Sequence, residues 1–272
     1  MATLDTGTDE LLATLDEGVV VLTLNRPESR NALSDTLSPA LRQIFARLPD
    51  MPDARCVVVT GAGSAFCAGG DVKGMGQQPH SDRPTTREGV IAELTQRQRS
   101  LTGALYSLPQ PTIAALPGAA AGAGFSIALA CDLRIAAESA FVTTGFANIG
   151  LAGDYGASFF LPHLVGQAKA RELFFTADRV DAATCLELGI VNRVVPGEQL
   201  MDETMTLARR LAAGPSQAYG LMKQNLDRSL REDLDTCLAH EAEATVTSAS
   251  TEDHREAVRA FLEKRKPVFK GR

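Results

Sequence analysis

The sequence predicts an α/β protein, and three features carry that prediction. Short apolar runs rich in β-branched residues recur along the first two thirds of the chain, and segments with helical periodicity separate them. Two glycine-rich turns each follow one of these runs. From residue 200 onward the strand signal stops and amphipathic helical patterns replace it. We therefore predict an α/β core over residues 1–198 and a helical segment over residues 199–272.

The individual elements follow from the same patterns. The predicted strands are the apolar runs at 19–24, 56–59, 112–115, 133–136 and 190–195. The predicted helices cover 37–48, 123–130, 155–164, 168–175 and 181–188, and Asp181 caps the last of them. The polar stretch 74–87 is predicted to be a surface loop. A helical segment of about 70 residues is too small to bury several apolar faces alone, so 199–272 should pack on the core or on another subunit.

The composition is that of a folded globular chain. Of 272 residues 44% are apolar and 22% are charged, which is far from the composition of disordered chains. A net charge of −6 gives no general footprint for nucleic acid, so no nucleic-acid partner is expected. The five cysteines form no Cys-x-x-Cys pair or histidine cluster, so no disulfide framework and no metal site are expected. The polar, acidic N-terminus lacks the features of a signal peptide, which predicts a cytoplasmic protein.

One segment, residues 100–131, carries no charge over a length sufficient to span a membrane. It contains three prolines and four glycines, which argue against a continuous helix. We therefore predict a tightly packed buried turn there and no membrane association.

The two glycine-rich turns, at 60–71 and 117–126, are the first candidates for a functional site. Neither fits the dinucleotide-binding fingerprint, the phosphate-binding loop or the serine-hydrolase elbow. Small residues in such turns can instead bring main-chain N–H groups close to a ligand, the second set at a helix N-terminus that favours anions. Two converging N–H groups would form an oxyanion hole. The alternative is that the glycines only permit tight turns and close packing.

Four blocks of the sequence resemble the enoyl-CoA hydratase/isomerase, or crotonase, superfamily. They are NRPESRNAL at 25–33, FCAGGD at 66–71, the stretch 111–132 and FLEKRKP at 261–267. The resemblance implies a crotonase-like spiral of ββα units with a C-terminal helical trimerisation segment, assembled as a homotrimer or a dimer of trimers. It also implies an acyl-CoA thioester as substrate, with coenzyme A as part of that substrate and no separate cofactor.

The resemblance assigns roles to individual residues. The two main-chain amides that hold the thioester oxygen map onto Ala68 and Ala123, and the enolate that they stabilise is the shared intermediate of the family. The contacts to the acyl-CoA map onto Ser29, Arg30, Asn31, Ala32, Gly70, Asp71, Lys73, Gly122, Phe146, Lys264 and Lys266. For the two lysines near the C-terminus, an ordinary solvated terminus is the alternative.

The sequence departs from the family pattern where hydratases activate water. The two glutamates of the family hydratases correspond to Ser126 and Phe146, and neither side chain can act as an acid or base. Asp154, by contrast, resembles in its position the acidic residue of dienoyl-CoA isomerases and ring-isomerising members. Its apolar neighbours are expected to raise its pKa. The alternative for Asp154 is an N-cap in a glycine-rich turn.

We therefore expect an enzyme that moves a proton next to, or conjugated with, a thioester carbonyl and so isomerises the double bond of an enoyl-CoA. Asp154 would carry the proton, and the amides of Ala68 and Ala123 would hold the oxygen. Two alternatives stay open. One is hydration of a 2-enoyl-CoA by a non-standard acid or base, and the other is an acyl-CoA-binding protein without catalytic activity.

Overall fold

The computed structural model describes residues 1–71 and 84–272. The strands in these ranges are β1 (Ala2–Thr3), β2 (Leu11–Asp16), β3 (Val19–Leu24), β4 (Cys56–Gly61), β5 (Ala65–Cys67), β6 (Thr112–Leu116), β7 (Ala119–Ala121), β8 (Leu133–Ala137), β9 (Phe141–Thr143), β10 (Val180–Asp181) and β11 (Arg193–Val195). They form a larger sheet in the order β1-β2-β3-β4-β6-β8-β11 and a smaller sheet in the order β10-β9-β7-β5. The five strands predicted from the sequence all lie in the larger sheet.

The larger sheet is parallel from β3 to β11, and the N-terminal strands β1 and β2 add to it antiparallel. Every residue of β4 and β6 is buried, because both faces of the sheet are covered. The chain alternates between the sheets: β4, β6 and β8 enter the larger one, and β5, β7 and β9 follow in the smaller one. This alternation confirms the predicted α/β class.

The helices of the described ranges are α1 (Leu37–Arg47), α2 (Arg87–Gln98), α3 (Ala123–Ala130), α4 (Ala157–Thr176), α5 (Ala182–Glu187), α6 (Leu200–Ala212), α7 (Ser216–Ser229), α8 (Leu234–Ala249) and α9 (Glu252–Leu262). Beyond α2 the chain continues through a π-helical turn, Arg99–Gly103, and a short helical turn, Ala104–Tyr106. Asp181 caps α5 as predicted, accepting the Thr184 N–H at 2.8 Å. The helices predicted at 155–164 and 168–175 are the two parts of α4, which departs from helical geometry at Gly166.

The hydrophobic core has two parts. Between the sheets and the helices, α3 is buried at every residue and packs with the apolar face of α1. On the other face of the larger sheet, Leu207 and Ala208 of α6 cover Val58 and Ile113. Helix α6, the first helix of the predicted helical segment, therefore packs on the core. Within 1–71 and 84–272 no helix combines the length and the apolar character needed to cross a bilayer.

Polar contacts attach helix α7 to the α/β core. The Lys223 ammonium lies 2.9 Å from the Asp132 carboxylate, and the Tyr106 hydroxyl donates to Asp227 at 2.6 Å. Helices α8 and α9 make little contact with the core and leave large apolar side chains exposed.

The C-terminal residues fold back on α9. The buried Asp253 carboxylate accepts the N–H groups of Lys270 and Gly271 at 2.6 and 2.8 Å, and its own N–H donates to the Arg272 carbonyl at 3.0 Å. Arg55 donates to the Phe269 carbonyl at 3.2 Å. The main chain of residues 269–272 is therefore held chiefly by the side chains of Asp253 and Arg55.

Candidate active site

The two glycine-rich turns meet at the start of α3. A Cβ atom built on Gly69 would lie 2.8 Å from the Ala121 carbonyl oxygen and 3.5 Å from the Ala123 nitrogen. A Cβ atom built on Gly124 would lie 2.3 Å from the Cys67 carbonyl oxygen. Since these distances leave no room for a side chain, glycine at both positions lets the two main chains touch.

The Ala123 amide is available to a ligand. Ala123 is the first residue of α3, and Gly122 before it adopts φ 50 and ψ −126. The first N–H groups of a helix have no acceptor within that helix, and no group in the described ranges accepts from Ala123. The helix dipole adds partial positive charge at this point. Such a position suits a developing oxyanion, and this role of Ala123 stays a prediction.

The donor role predicted for Ala68 is wrong. The Ala68 N–H donates to the Arg30 carbonyl oxygen at 2.9 Å, so this amide already has an internal partner. It cannot bind a substrate oxygen without giving up that bond.

Gly70 supplies an amide of the first turn that has no acceptor among the described residues. A parallel bridge joins Leu33 and Gly70: the Leu33 N–H donates to the Gly69 carbonyl at 2.7 Å, and the Asp71 N–H donates to the Leu33 carbonyl at 3.2 Å. In such a bridge the N–H of the bridged residue points away from its partner strand. In the described part of the chain nothing accepts from the Gly70 N–H. Gly70 was predicted only as a contact to CoA.

The Asn31 side chain is a structural clamp. It is fully buried, and its Oδ1 accepts the Arg26 N–H at 2.8 Å. Its Nδ2 donates to the carbonyls of Ala62 and Ala65 at 2.9 and 2.8 Å. These bonds tie the turn at 25–33 to the first glycine-rich turn. The side chain has no free donor or acceptor face for CoA, so the predicted contact would have to use the main chain.

The other predicted CoA contacts remain predictions. Ser29 is half-buried, Arg30 is exposed and Ala32 is buried. The Asp71 carboxylate lies 3.4 Å from the Arg26 guanidinium. Lys73 lies outside the described residues. Lys264 and Lys266 are both exposed on the surface.

Asp154 is a partly buried carboxylate without a hydrogen-bond donor on one oxygen. Its Oδ1 is buried, and no group in ranges 1–71 and 84–272 donates to it. Gly156 is the N-cap of α4 and no side chain caps that helix, so the alternative role of Asp154 as a cap is excluded. Burial raises the pKa of the Asp154 carboxyl to about 6.

An aromatic wall connects Asp154 to the donor turn. The Phe146 ring lies 3.7 Å from a Cβ built on Gly122 and 3.5 Å from a Cβ built on Gly153, the residue before Asp154. Phe146 stacks on Phe174 with ring centroids 6.1 Å apart. Both rings therefore pack against the segment that carries Asp154.

Ser126 links the same two parts of the site. Its hydroxyl is buried and lies 3.1 Å from the Asp154 carbonyl and 3.2 Å from the Gly122 carbonyl. Ser126 is three residues beyond Ala123 in α3, a rise of about 4.5 Å. The main chain at Asp154 is therefore attached to α3 at a residue three positions beyond Ala123. Neither Ser126 nor Phe146 offers an acid or base.

Gln98 is a residue of this region that the sequence did not reveal. Its side-chain Oε1 accepts the Tyr155 N–H at 2.8 Å. Gln98 ends the polar helix α2, and a single glutamine there carries no recognisable signal in the sequence. The described residues include no group of three or more His, Cys, Asp or Glu side chains that could hold a metal ion.

The site combines main-chain N–H groups on two touching turns with a partly buried carboxylate, on an alternating two-sheet α/β scaffold. These features suit enzymes that act on acyl groups. The model of the enoyl-CoA hydratase/isomerase family matches residues 14–272 of this sequence. The chain therefore belongs to the enoyl-CoA hydratase/isomerase family, whose members act on acyl-CoA thioesters.

Individual relatives cover nearly the whole chain. The 1,2-epoxyphenylacetyl-CoA isomerase of Escherichia coli (strain K12) is 36% identical over 262 residues, which are 96% of this chain and 98% of that protein. The short-chain-enoyl-CoA hydratase of Clostridium acetobutylicum is 34% identical over 256 residues, 93% of this chain and 95% of that protein. The structure of an enoyl-CoA hydratase from Bacillus anthracis has a TM-score of 0.88 at 33% identity and covers 97% of this chain and 100% of its own.

Proposed function

We propose that this protein is an isomerase that shifts the double bond of an enoyl-CoA by proton transfer. One observation carries the proposal: the partly buried Asp154 carboxylate directly follows Gly153, which contacts the same Phe146 ring as the turn that presents the Ala123 amide. A base and an oxyanion donor placed together suit proton abstraction next to, or conjugated with, a thioester carbonyl. The name of the E. coli relative, an isomerase of a CoA thioester, agrees with it.

The reaction needs two proton transfers and no net change in composition. The Asp154 carboxylate takes a proton from a carbon conjugated with the thioester carbonyl, and the electrons of that C–H bond move toward the carbonyl oxygen. The N–H groups of Gly70 and Ala123 hold the resulting enolate oxygen, and one such donor contributes about 3–4 kcal/mol to catalysis. Protonated Asp154 exchanges its proton with solvent and delivers one to a different carbon, which leaves the double bond displaced.

The raised pKa of Asp154 suits both transfers. With a pKa of about 6, most of the carboxyl is ionised at neutral pH and ready to accept a proton. The same pKa makes it a stronger base than an exposed aspartate, whose pKa is about 4. Water addition by the familiar two-glutamate route has no acid or base at Ser126 or Phe146, and this absence supports isomerisation over hydration.

Deuterium uptake from D2O tests the assigned base. A panel of 2-enoyl- and 3-enoyl-CoA thioesters is incubated with the enzyme, and the deuterium content of the acyl group is followed by mass spectrometry. We expect Asp154→Asn to lower the uptake rate by about 10²- to 10⁴-fold, since it removes the proton carrier. Asp178→Asn, at an exposed aspartate of the following loop, is the matched control and should match wild type. Unchanged uptake in Asp154→Asn would exclude the assigned role.

The two alternatives give different results in the same panel. Hydration predicts loss of enoyl absorbance on a short 2-enoyl-CoA at the rate of ordinary family hydratases. A non-catalytic binding protein predicts tight binding of acyl-CoA with neither turnover nor isotope uptake on any member of the panel.

A further inference from the structure

The peptide group that joins Asp154 to Tyr155 is held from both sides. Its carbonyl oxygen lies 3.1 Å from the Ser126 hydroxyl, which donates to it, and its N–H donates to the Gln98 Oε1 at 2.8 Å. The C=O and N–H of a trans peptide point in opposite directions. Two bonds on opposite edges therefore fix the orientation of the peptide plane.

The conformation of this segment needs such support. Tyr155 has φ 50, a left-handed conformation that is unfavourable for a bulky residue, and Gly153 and Gly156 on either side also have positive φ. Residues held in sparsely populated conformations persist only where surrounding contacts determine them. The Ser126 and Gln98 side chains supply two of those contacts.

The carboxylate of Asp154 is placed by the main chain. Its Oδ1 has no donor in the described part of the chain, so no hydrogen bond at that oxygen fixes the side chain. The direction of its Cα–Cβ bond follows from the backbone at 154 and 155. A rotation of the clamped peptide would therefore move the carboxylate relative to the Ala123 amide.

The two clamping residues come from the two helices that flank the segment. Ser126 belongs to α3, whose first N–H is the proposed oxyanion donor, and shares its single hydroxyl proton between the carbonyls of Asp154 and Gly122. Gln98 is the last residue of α2, directly before the π-helical turn Arg99–Gly103. Such turns occur frequently at functional sites.

We propose that Gln98 and Ser126 are positioning residues that keep the Asp154 carboxylate in place beside the Gly70 and Ala123 donors, an inference that rests on the proposed function. Of the two residues, Gln98 contributes more to fixing the peptide between Asp154 and Tyr155. The Tyr155 N–H has no other acceptor in the described ranges, whereas the Asp154 carbonyl also accepts the Ala157 N–H at 3.2 Å.

Substitutions of the two clamping residues test the proposal. Gln98→Met keeps the length of the side chain and removes the acceptor; it should lower kcat for deuterium uptake about 10- to 100-fold while KM stays within about twofold. Ser126→Ala should lower kcat by about two- to fivefold, because the Asp154 carbonyl retains a donor. Gln98→Glu restores an acceptor and should be about tenfold faster than Gln98→Met. Gln96→Met, on the exposed face of the same helix, should equal wild type.

A second measurement does not depend on turnover. Hydrogen exchange of the Tyr155 amide should be slow in wild type and in Gln96→Met and fast in Gln98→Met, while thermal unfolding shows that the variants are folded. Continued protection in Gln98→Met would overturn the clamp, and wild-type kcat in that variant would overturn its positioning role. Absence of isotope uptake by wild type would instead overturn the proposed function, whatever the Tyr155 amide shows.

Discussion

At the scale of single residues, the raised pKa of the Asp154 carboxyl predicts how activity depends on pH. The fold partly buries this carboxyl, no group of the described residues donates a hydrogen bond to its Oδ1, and burial raises its pKa to about 6. A base with this pKa loses its proton over a range of pH that kinetic assays reach easily.

We predict that kcat/KM for isotope uptake rises with pH, reaches half its maximum at about pH 6 and is level above that. The rate constant rises with pH because only the ionised carboxylate can accept a proton. The midpoint is that of the free enzyme, since kcat/KM reports the ionisation of the free enzyme. Phe146→Ala should lower the midpoint toward about pH 4, since removing the ring lets water reach the carboxylate. A midpoint that does not move in Phe146→Ala would assign the titration to another group.

Asn31 gives a prediction of stability at the same scale. We expect Asn31→Ala to lower the free energy of unfolding by about 2–4 kcal/mol, because it removes the partner of the Arg26 N–H and of the Ala62 and Ala65 carbonyls, the last of which is buried. Thermal unfolding measures the effect. Asn25→Ala removes one exposed hydrogen bond to the Asp9 carbonyl and should cost less than about 0.5 kcal/mol. Equal losses in the two variants would contradict the clamp role of Asn31.

At the residue scale, the sequence located candidate residues where a helix start or a position after a turn marks them, and their roles stay predictions. Ala123 follows from the start of a helix, and Asp154 from its place beyond the second glycine-rich turn. Ala68 failed because sequence does not show where an N–H points. Gly69 has φ 94, which breaks the alternation of an extended chain and leaves the Gly70 amide without an acceptor among the described residues. Gln98 acts through a main-chain N–H 57 residues away, and no local pattern records such a contact.

At the scale of elements, the start of α3 depends on its contact with the first glycine-rich turn. The main chain of Cys67 occupies the space that a side chain at position 124 would need. The separation of the two turns, and with it that of their N–H groups, is set by this contact.

We predict that Gly124→Ala lowers the free energy of unfolding by about 2–3 kcal/mol and abolishes measurable isotope uptake, because the new methyl group forces the turns apart. Gly103→Ala provides the matched control: the nearest atom to its built Cβ is 3.6 Å away and its φ is −63. That variant should be more stable by about 0.5–1 kcal/mol and fully active. Retained activity in Gly124→Ala would show that the spacing of the turns is not critical.

Element prediction succeeded where the pattern was long. Strands β3, β4, β6 and β8 of the larger sheet have five or six residues, and their apolar runs were visible in the sequence, whereas the six-residue strand β2 was missed. The strands of the smaller sheet have two or three residues, too few for a period to be read. The predicted gap in α4 corresponds to Gly166, whose φ of 77 interrupts the helix.

At the scale of the whole molecule, the C-terminal helices present an unpartnered apolar surface. The exposed side chains on α7, α8 and α9 include Leu226, Leu234, Leu238, Val246, Phe261 and Leu262, each at least half exposed. Monomeric proteins rarely leave contiguous apolar patches of this kind uncovered.

We therefore predict self-association through these helices, as the trimer or dimer of trimers expected from the family resemblance. Light scattering coupled to size-exclusion chromatography should give a mass several times 28.9 kDa. Leu234→Glu combined with Leu238→Glu should shift the protein toward the monomer, since two buried charges oppose docking. Thr236→Glu, on a different face of α8, should leave the mass unchanged. A wild-type mass of one chain would exclude the assembly.

The main-chain N–H donors affect how catalytic groups can be identified by mutagenesis. Peptide N–H groups belong to every residue except proline, so replacing position 123 by most other amino acids leaves the hydrogen bond chemically intact. Alanine-scanning mutagenesis would therefore not detect these main-chain donors. A comparison of catalytic side chains between aligned sequences would not detect them either. Exchanging a single amide for an ester linkage deletes one donor and spares the surrounding shape.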